Sequence, residues 1–143
     1  MNYEICFISP YQELTSLIKD MMPKFPEKAL LEEGAIKNAE PVVKDAEKKG
    51  VEVIITTEGN KRHLEEITDL PIVAFPINTF DTVYAINKAK KIFGEPLALF
   101  EFRNPNSRFH EIKEIIGAKI EQQIYRDEKD GLNRLIDVMD RGI

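Results

Sequence analysis

The chain has 143 residues, of which 43% are hydrophobic, so it is long enough to build a domain with its own core. The formal net charge is −5 and basic residues are interspersed with acidic ones, which argues against direct contact with nucleic acid. No apolar run approaches the roughly 20 residues of a membrane-spanning helix, and the amino terminus lacks the pattern of a signal peptide. We therefore expect a soluble, cytoplasmic protein without membrane contact.

Short apolar or β-branched segments alternate with longer amphipathic segments along the chain. We predict strands at residues 3–8, 28–33, 51–55, 71–75, 96–102 and 118–124. Helices are predicted after Ser9, after Gly34, at residues 61–67, from residue 80 to near Gly94, and at residues 105–116 and 127–140. This alternation is typical of βα units around a parallel sheet, so the predicted fold class is α/β.

The first two helices carry end signals and apolar faces. Ser9 is predicted to cap the first helix, with Pro10 at its first position. Five apolar residues follow at helical spacing and are predicted to face the core: Leu14, Leu17, Ile18, Met21 and Met22. Lys49 and Gly50 are typical of a helix carboxyl end and close the second helix. Its predicted inner face comprises Ala35, Ala39, Val42, Val43 and Ala46.

Cysteine and histidine are too sparse for a metal site. Cys6 is the only cysteine and lies in an apolar strand, so we predict a small core residue rather than a redox centre. His63 and His110 fall on predicted helices without a companion at ligand spacing, which favours helix-surface positions. We therefore predict neither a metal nor a cofactor.

The third strand ends in small polar residues directly before a helical segment. In an open α/β sheet, ligands bind at the carboxyl ends of the strands, where hydroxyls and free backbone N–H groups can hold an anion. The candidate residues there are Thr56, Thr57, Glu58, Gly59 and Asn60. An ordinary strand-to-helix turn explains the same residues, and the sequence leaves both interpretations open.

Four segments in the middle of the chain resemble a known module. They are residues 53–60 (VIITTEGN), 70–75 (LPIVAF), 79–91 (TFDTVYAINKAKK) and 97–104 (LALFEFRN). The chain resembles the amino-terminal sensory domain of the propionate-catabolism activators, a family of sigma-54-dependent, NtrC-type transcription regulators. In that family the domain precedes an ATPase module and a helix-turn-helix.

The resemblance implies two Rossmann-like α/β lobes in the manner of periplasmic-type binding proteins, with a small organic acid such as 2-methylcitrate bound between them. Residues 1–93 would form the first lobe, and residues 94–143 would begin a second, incomplete lobe. We expect the intact regulator to be a homo-oligomer. Because Gly142 resembles the end of a helix and Ile143 the start of a strand, we also expect the chain to be a fragment of a larger α/β domain.

The resemblance extends the candidate site beyond the third strand. It adds Thr79, Phe80 and Asp81 at the start of the fourth helix, and Arg103 and Asn104 after the fifth strand. Arg103 could pair with a carboxylate bidentately. Two simpler interpretations remain open. Asp81 is then an ordinary acid in the first turn of a helix that Asn78 or Thr79 caps, and Arg103 is a solvated loop cation.

The chain departs from the family pattern at two places where the ligand is expected to bind. The family sequence Ser-Arg-Gly-Gly-Thr is replaced by residues 57–61, with an acid, Glu58, in place of a base. The family's Val-Gly-Phe at the fifth strand is Phe-Glu-Phe here, at residues 100–102. These changes keep a second hypothesis open, a degenerate domain that acts through protein contacts. Phe109, Ile112 and Ile116 would then serve either core packing or an interface.

A third hypothesis is a small enzyme on a flavodoxin-like scaffold. Its catalytic residues would have to come from Glu58, Asp81, Glu101 and His110. The sequence contains no nucleophile elbow, phosphate-binding loop, dinucleotide fingerprint or metal-ligand cluster, so we predict that the chain is not an enzyme.

Overall fold

The computed structural model describes residues 2–143. Its strands are β1 (Ile5–Ser9), β2 (Ala29–Glu33), β3 (Val53–Thr57), β4 (Ile72–Phe75), β5 (Leu97–Phe102) and β6 (Ile120–Tyr125). Its α-helices are α1 (Gln12–Met21), α2 (Glu40–Lys48), α3 (Glu58–Leu64), α4 (Thr79–Phe93), α5 (Phe109–Ile116) and α6 (Glu128–Asp140). Short 3-10 helices at Met22–Lys24 and Ile36–Ala39 precede β2 and α2. In the described part of the chain, no helix is long and apolar enough to cross a membrane.

The chain forms two compact units, one up to Pro76 and one from Ile77 onward. In the first, four parallel strands lie in the order β2-β1-β3-β4, the beginning of the flavodoxin-like strand order. In the second, β5 and β6 form a parallel pair. The predicted parallel α/β class is confirmed. Helix α4 lies in the second of these units. The division into two lobes near residue 93 stays a prediction.

The core of the first unit lies between the sheet and its helices. Cys6 and Ile8 of β1 are fully buried with Ile54 of β3, Val43 of α2 and Leu64 of α3. Because β1 and β3 are the central strands of the sheet, their side chains are covered by neighbouring strands and helices. The prediction that Cys6 is a core residue is confirmed.

The predicted start of α1 is wrong. Ser9 is the last residue of β1 and its hydroxyl donates to the carbonyl of Tyr11 at 2.8 Å, whereas Tyr11 occupies the cap position without a side-chain hydrogen bond. Of the predicted inner face, Ile18 is buried, while Leu17 and Met21 are exposed. α1 therefore buries a narrower stripe than its spacing suggested.

The predicted bounds of β3 are displaced by two residues. Val51 is held by the end of α2, because its N–H donates to the carbonyl of Ala46 at 3.2 Å. Pairing with β1 begins only at Val53, opposite Ile5, and β3 continues to Thr57. Helix α3 begins at the next residue, Glu58, so no loop separates the two. The predicted turn at residues 56–60 is thus a strand end followed by the first turn of a helix.

The second unit has its own core, in which Ile86 of α4 and Ile112 of α5 pack with Ala118 and Ile120. Phe109 and Ile116 are partly buried against this core, so packing accounts for the three apolar residues predicted on α5. Helix α5 begins at Phe109 rather than residue 105, because Asn106 forms a turn in which its Oδ1 accepts from the N–H of Arg108 at 2.9 Å.

The two histidines differ in environment. His110 is exposed on α5 beside Glu114. His63 is half-buried on α3, where its Nε2 lies 2.7 Å from a carboxylate oxygen of Glu40 on α2, so it bridges two helices instead of facing only solvent. Among residues 2–143, no group of three or more His, Cys, Asp and Glu side chains is placed to hold a metal ion.

Candidate functional site

The carboxyl edge of the four-stranded sheet contains a topological switch point. From β1 the chain runs to β2 on one side, and β3 lies on the other, an arrangement beside which open α/β sheets commonly bind ligands. The paired residues of these strands end with Phe7 and Ile55, and each strand continues for two residues, to Ser9 and Thr57. The last residues of both strands therefore border this edge.

Thr56 and Asn60 form a buried polar network at this edge of the sheet. The hydroxyl of Thr56 donates to the carbonyl of Ile8 at 2.7 Å, which bridges β3 and β1 beyond their backbone ladder. The Asn60 amide donates to the Thr56 hydroxyl at 3.0 Å and to the carbonyl of Gly34 at 2.9 Å. Both side chains are completely buried, so their polar atoms serve the fold.

The network also holds the segment that follows β2. Asn60 Oδ1 accepts a hydrogen bond from the N–H of Ile36 at 2.7 Å, and Ile36 has a φ of 51°. A β-branched residue at positive φ is a backbone outlier that the surrounding contacts must enforce. The N–H of Gly34 donates to the carbonyl of Ser9 at 2.9 Å, so this segment is tied to the end of β1 as well.

Thr57, Glu58 and Gly59 form the less buried part of the edge. Thr57 occupies the cap position of α3 in extended conformation, but its side chain makes no capping hydrogen bond. Glu58 is exposed and lies 3.7 Å from Arg62, one turn along the helix. Gly59 is half-buried. The side chains of Thr56 and Asn60 are hydrogen-bonded within the protein, whereas the Thr57 hydroxyl has no protein hydrogen-bond partner among the described residues.

The residues predicted at the start of α4 belong to the second unit. Asn78 caps the helix by accepting from the N–H of Asp81 at 3.0 Å, and the Asp81 carboxylate accepts from the N–H of Asn78 at 3.0 Å. This reciprocal capping box confirms the interpretation of Asp81 as a helix-start acid with Asn78 as the cap. Thr79 and Phe80 follow, and Phe80 is 83% exposed.

Arg103 and Asn104 lie after β5, also in the second unit. Arg103 has a φ of 58°, and its Nε donates to the carbonyl of Arg126 at 3.0 Å. Its guanidinium carbon lies 4.8 Å from the ring centroid of Phe102. Asn104 is exposed, and its N–H bonds the carbonyl of Phe102 at 2.6 Å. Arg103 is exposed, and these contacts hold its side chain against its own unit, so its role in binding a carboxylate stays a prediction.

The structure thus divides the predicted site residues between the two units. Residues 56–60 lie together at one sheet edge of the first unit, whereas residues 79–81, at the start of α4, and residues 103–104, after β5, belong to the second unit. Sequence reasoning missed the contributions of Ser9, Gly34 and Ile36. Ser9 and Gly34 were detectable as small residues directly after two predicted strands, but no sequence signal marks Ile36.

An open groove of about 860 Å³ lies elsewhere in the first unit, between α1 and β2. Its lining includes Lys19, Glu32 and Glu33 but none of the predicted site residues. The opposite charges of these side chains give the groove no single preference for anions or cations.

Comparison with known proteins identifies the family. The family model described as propionate catabolism activator matches residues 28–143, which is most of the chain. The chain belongs to this family. The matched range contains every predicted site residue. The family is one of transcription regulators, as the middle of the sequence predicted.

A solved structure supports the same fold. The crystal structure of an NtrC family transcriptional regulator from Clostridium acetobutylicum is similar to this propionate catabolism activator domain, with a TM-score of 0.88 and 21% sequence identity. The similarity covers 100% of this chain and 75% of that one. At this identity the likeness shows the fold alone. A comparison with curated proteins gives no match.

Proposed function

We propose that this chain is the ligand-sensing input domain of a sigma-54-dependent transcription regulator and that it binds a small organic acid, of the 2-methylcitrate kind, at the carboxyl edge of its four-stranded sheet. The observation that carries the proposal is the position of Thr57. It ends β3 at the switch point of the sheet, and its hydroxyl has no protein partner among the described residues. A regulator of transcription works in the cytoplasm, where we expect this chain.

The chemistry of the edge suits a carboxylate. The Thr57 hydroxyl can donate to a carboxylate oxygen, and no side chain caps the first backbone N–H groups of α3. The acidic Glu58 opposes an anion, but Lys61 and Arg62 lie within the next turn. Arg62 pairs with Glu58 and Lys61 pairs with Glu65, so these four charges cancel, and the attraction for an anion comes from the Thr57 hydroxyl and the uncapped N–H groups.

The buried network gives this edge a defined shape. Asn60 and Thr56 join β1, β3 and the segment after β2 through four side-chain hydrogen bonds of 2.7 to 3.0 Å. A site whose walls are rigid loses less conformational entropy when a ligand binds. We therefore assign Thr57 and Gly59 to direct contact with the ligand. Thr56 and Asn60 are assigned to holding the backbone around the ligand in place. The contributions of Thr79, Phe80, Asp81, Arg103 and Asn104 from the second unit stay predictions.

The test is a thermal-unfolding screen of the chain against small di- and tricarboxylates, including 2-methylcitrate and citrate, with phosphate and sulfate as inorganic controls. A ligand that binds only the folded state stabilises it by about 2.7 kcal/mol at a hundredfold excess over its dissociation constant. We expect a saturable rise of the midpoint with one organic acid. Thr57→Val keeps the side-chain shape, removes the hydroxyl and should abolish most of the shift.

The matched control is Thr82→Val, because Thr82 lies in α4 and makes no side-chain hydrogen bond among the described residues. It should leave the ligand-induced shift unchanged. Equal shifts with phosphate and sulfate would contradict recognition of an organic acid. A retained shift in Thr57→Val would contradict the proposed place of binding.

A domain that acts through protein contacts without an effector is the second candidate. The observation that favours it is Glu58, which places an acid where the family pattern has a base. It predicts no midpoint shift with any carboxylate in a well-folded chain, so the same screen separates the two candidates. No observation favours the enzyme hypothesis.

A further inference from the structure

Helix α6 packs with its more polar face inward. On the inner side, Val138 is 2% exposed, Arg134 lies 3.3 Å from Gln123 of β6, and Arg141 pairs with Glu121 of β6 at 2.5 Å. Gly131 lies against Tyr125, so close that a Cβ there would be 3.0 Å from the tyrosine ring. These contacts define the orientation of the helix about its own axis.

The apolar face of α6 is therefore left in solvent. We call this face the α6 stripe, and it consists of Leu132, Leu135, Ile136 and Met139, which are 43 to 64% exposed. The spacing i, i+3, i+4, i+7 places the four side chains in one row along two turns of helix, over about 10 Å. Such a row matches the seam of a paired helix, in which apolar side chains of one helix pack into spaces on the other.

Two charged residues flank the stripe and make no ion pair among residues 2–143. Lys129 precedes Leu132 by three residues, and Asp140 follows Met139 directly; both are exposed. At 100° per residue, Lys129 and Asp140 lie on the same side of the stripe, within about 20° of each other around the helix axis. Each lies at one end of the row, so the helix has a positive end and a negative end on the same flank.

We propose that the α6 stripe binds the α6 stripe of a second copy of this chain, with the two helices antiparallel. A twofold axis perpendicular to the helices reverses their direction and keeps the charged flanks on the same side. Leu132 of each copy then meets Met139 of the other, and Lys129 of each copy comes within one helical turn of the other's Asp140. Two ion pairs form by symmetry. A parallel pair would place these flanks on opposite sides and would form neither ion pair.

Charge complementarity favours a second copy of the chain as the partner of the α6 stripe. The stripe presents one unpaired cation and one unpaired anion, and an inverted copy of the same helix offers the opposite charge at both ends. The chain has a net charge of −5, so two copies repel weakly overall. The paired ends and the burial of four apolar side chains per copy oppose that repulsion.

The experiment measures the mass of the 143-residue chain by sedimentation equilibrium from about 1 μM to about 1 mM. We expect a reversible change from 16.4 kDa to twice that mass. Leu132→Glu places a charge in the stripe and should weaken association at least about tenfold. Met139→Glu is the second variant, used if the first fails to fold. Ile115→Glu, at an exposed position of α5, is the control and should leave association unchanged.

A charge exchange tests the antiparallel arrangement. Lys129→Glu and Asp140→Lys should each weaken association, and the double variant, in which the two charges are exchanged, should restore it to within about threefold. A chain that stays monomeric at every concentration overturns the proposal. So does a dimer that Leu132→Glu does not weaken. A stripe-dependent dimer that the double variant fails to restore overturns the antiparallel arrangement.

Discussion

Asn60 Oδ1 accepts a hydrogen bond of 2.7 Å from the N–H of Ile36, across 24 positions of sequence. Ile36 has a φ of 51°, a conformation that an isoleucine does not adopt without support. The same Asn60 amide donates to Gly34 and Thr56. A single side chain in α3 therefore holds the backbone that borders the candidate site.

Replacing Asn60 should destabilise the fold. Asn60→Ala leaves the N–H of Ile36 and the carbonyl of Gly34 without their partner in a partly buried place and removes the bond to Thr56, so we expect the free energy of unfolding to fall by about 3 kcal/mol. Urea unfolding followed by circular dichroism measures this loss. Asn87→Ala is the control, because Asn87 is exposed on α4 and alanine favours a helix. A loss of less than about 0.5 kcal/mol in Asn60→Ala would show that the network does not hold the loop.

Gly34→Ala should also be destabilising. A Cβ at this position would lie 2.8 Å from the Cα of Ala39, and backbone atoms cannot move aside as a flexible side chain can. We expect a cost of about 2 kcal/mol, within the usual range for overpacking. Gly142→Ala is the comparison: its Cβ meets open space, so only its φ of 77° adds strain, about 1 kcal/mol. Urea unfolding should rank Gly34→Ala as the more damaging change, and the reverse order would contradict the close approach.

Cys6 should be unreactive in the folded protein. Burial raises the pKa of its thiol to about 12, and the negative charge of Glu32 adds to the shift. Because the thiolate is the reactive species, an aromatic disulfide reagent at pH 8 should label Cys6 only as fast as the chain opens. The same reagent in urea should label one thiol per chain immediately, since Cys6 is the only cysteine. Rapid labelling without denaturant would contradict the buried position.

The same shift predicts a pH dependence of stability. The unfolded chain releases the thiol proton near pH 9.0, whereas the folded chain keeps it to about pH 12. The contribution of Cys6 to stability is complete below pH 9.0 and falls as the pH rises from there toward 12. Cys6→Ala should remove this part of the alkaline dependence, which urea unfolding at pH 8 and pH 10.5 measures. An identical alkaline loss in both proteins would assign it to other groups.

The capping box of α4 should contribute measurably to stability. Asn78→Ala removes the acceptor for the N–H of Asp81, and we expect a loss of about 1 kcal/mol. Asn78→Asp retains a side-chain oxygen and should lose much less. Both are measured by urea unfolding, with Asn87→Ala as the control on the same helix. Equal effects of the two Asn78 variants would show that the side-chain oxygen does not act as the cap.

Local sequence determined much of this protein. The alternation of apolar and amphipathic segments predicted the parallel α/β class. The sequence also predicted a cap for α4 at Asn78 or Thr79, of which the structure shows Asn78. Both depend on contacts between residues near each other in the chain, so side-chain type and spacing suffice. The family resemblance in residues 53–104 was also a property of the sequence alone.

Only the tertiary structure decided the role of the polar residues after β3. Thr56 and Asn60 were predicted at a ligand site because they follow a strand, yet Thr56 bonds Ile8 across 48 positions and Asn60 bonds Ile36 across 24. The orientation of α6 was likewise decided by Tyr125 against Gly131 and by Glu121 with Arg141. These contacts join distant parts of the chain. Periodicity indicates that a helix has an apolar face, but the neighbours that fold against it decide which face is buried.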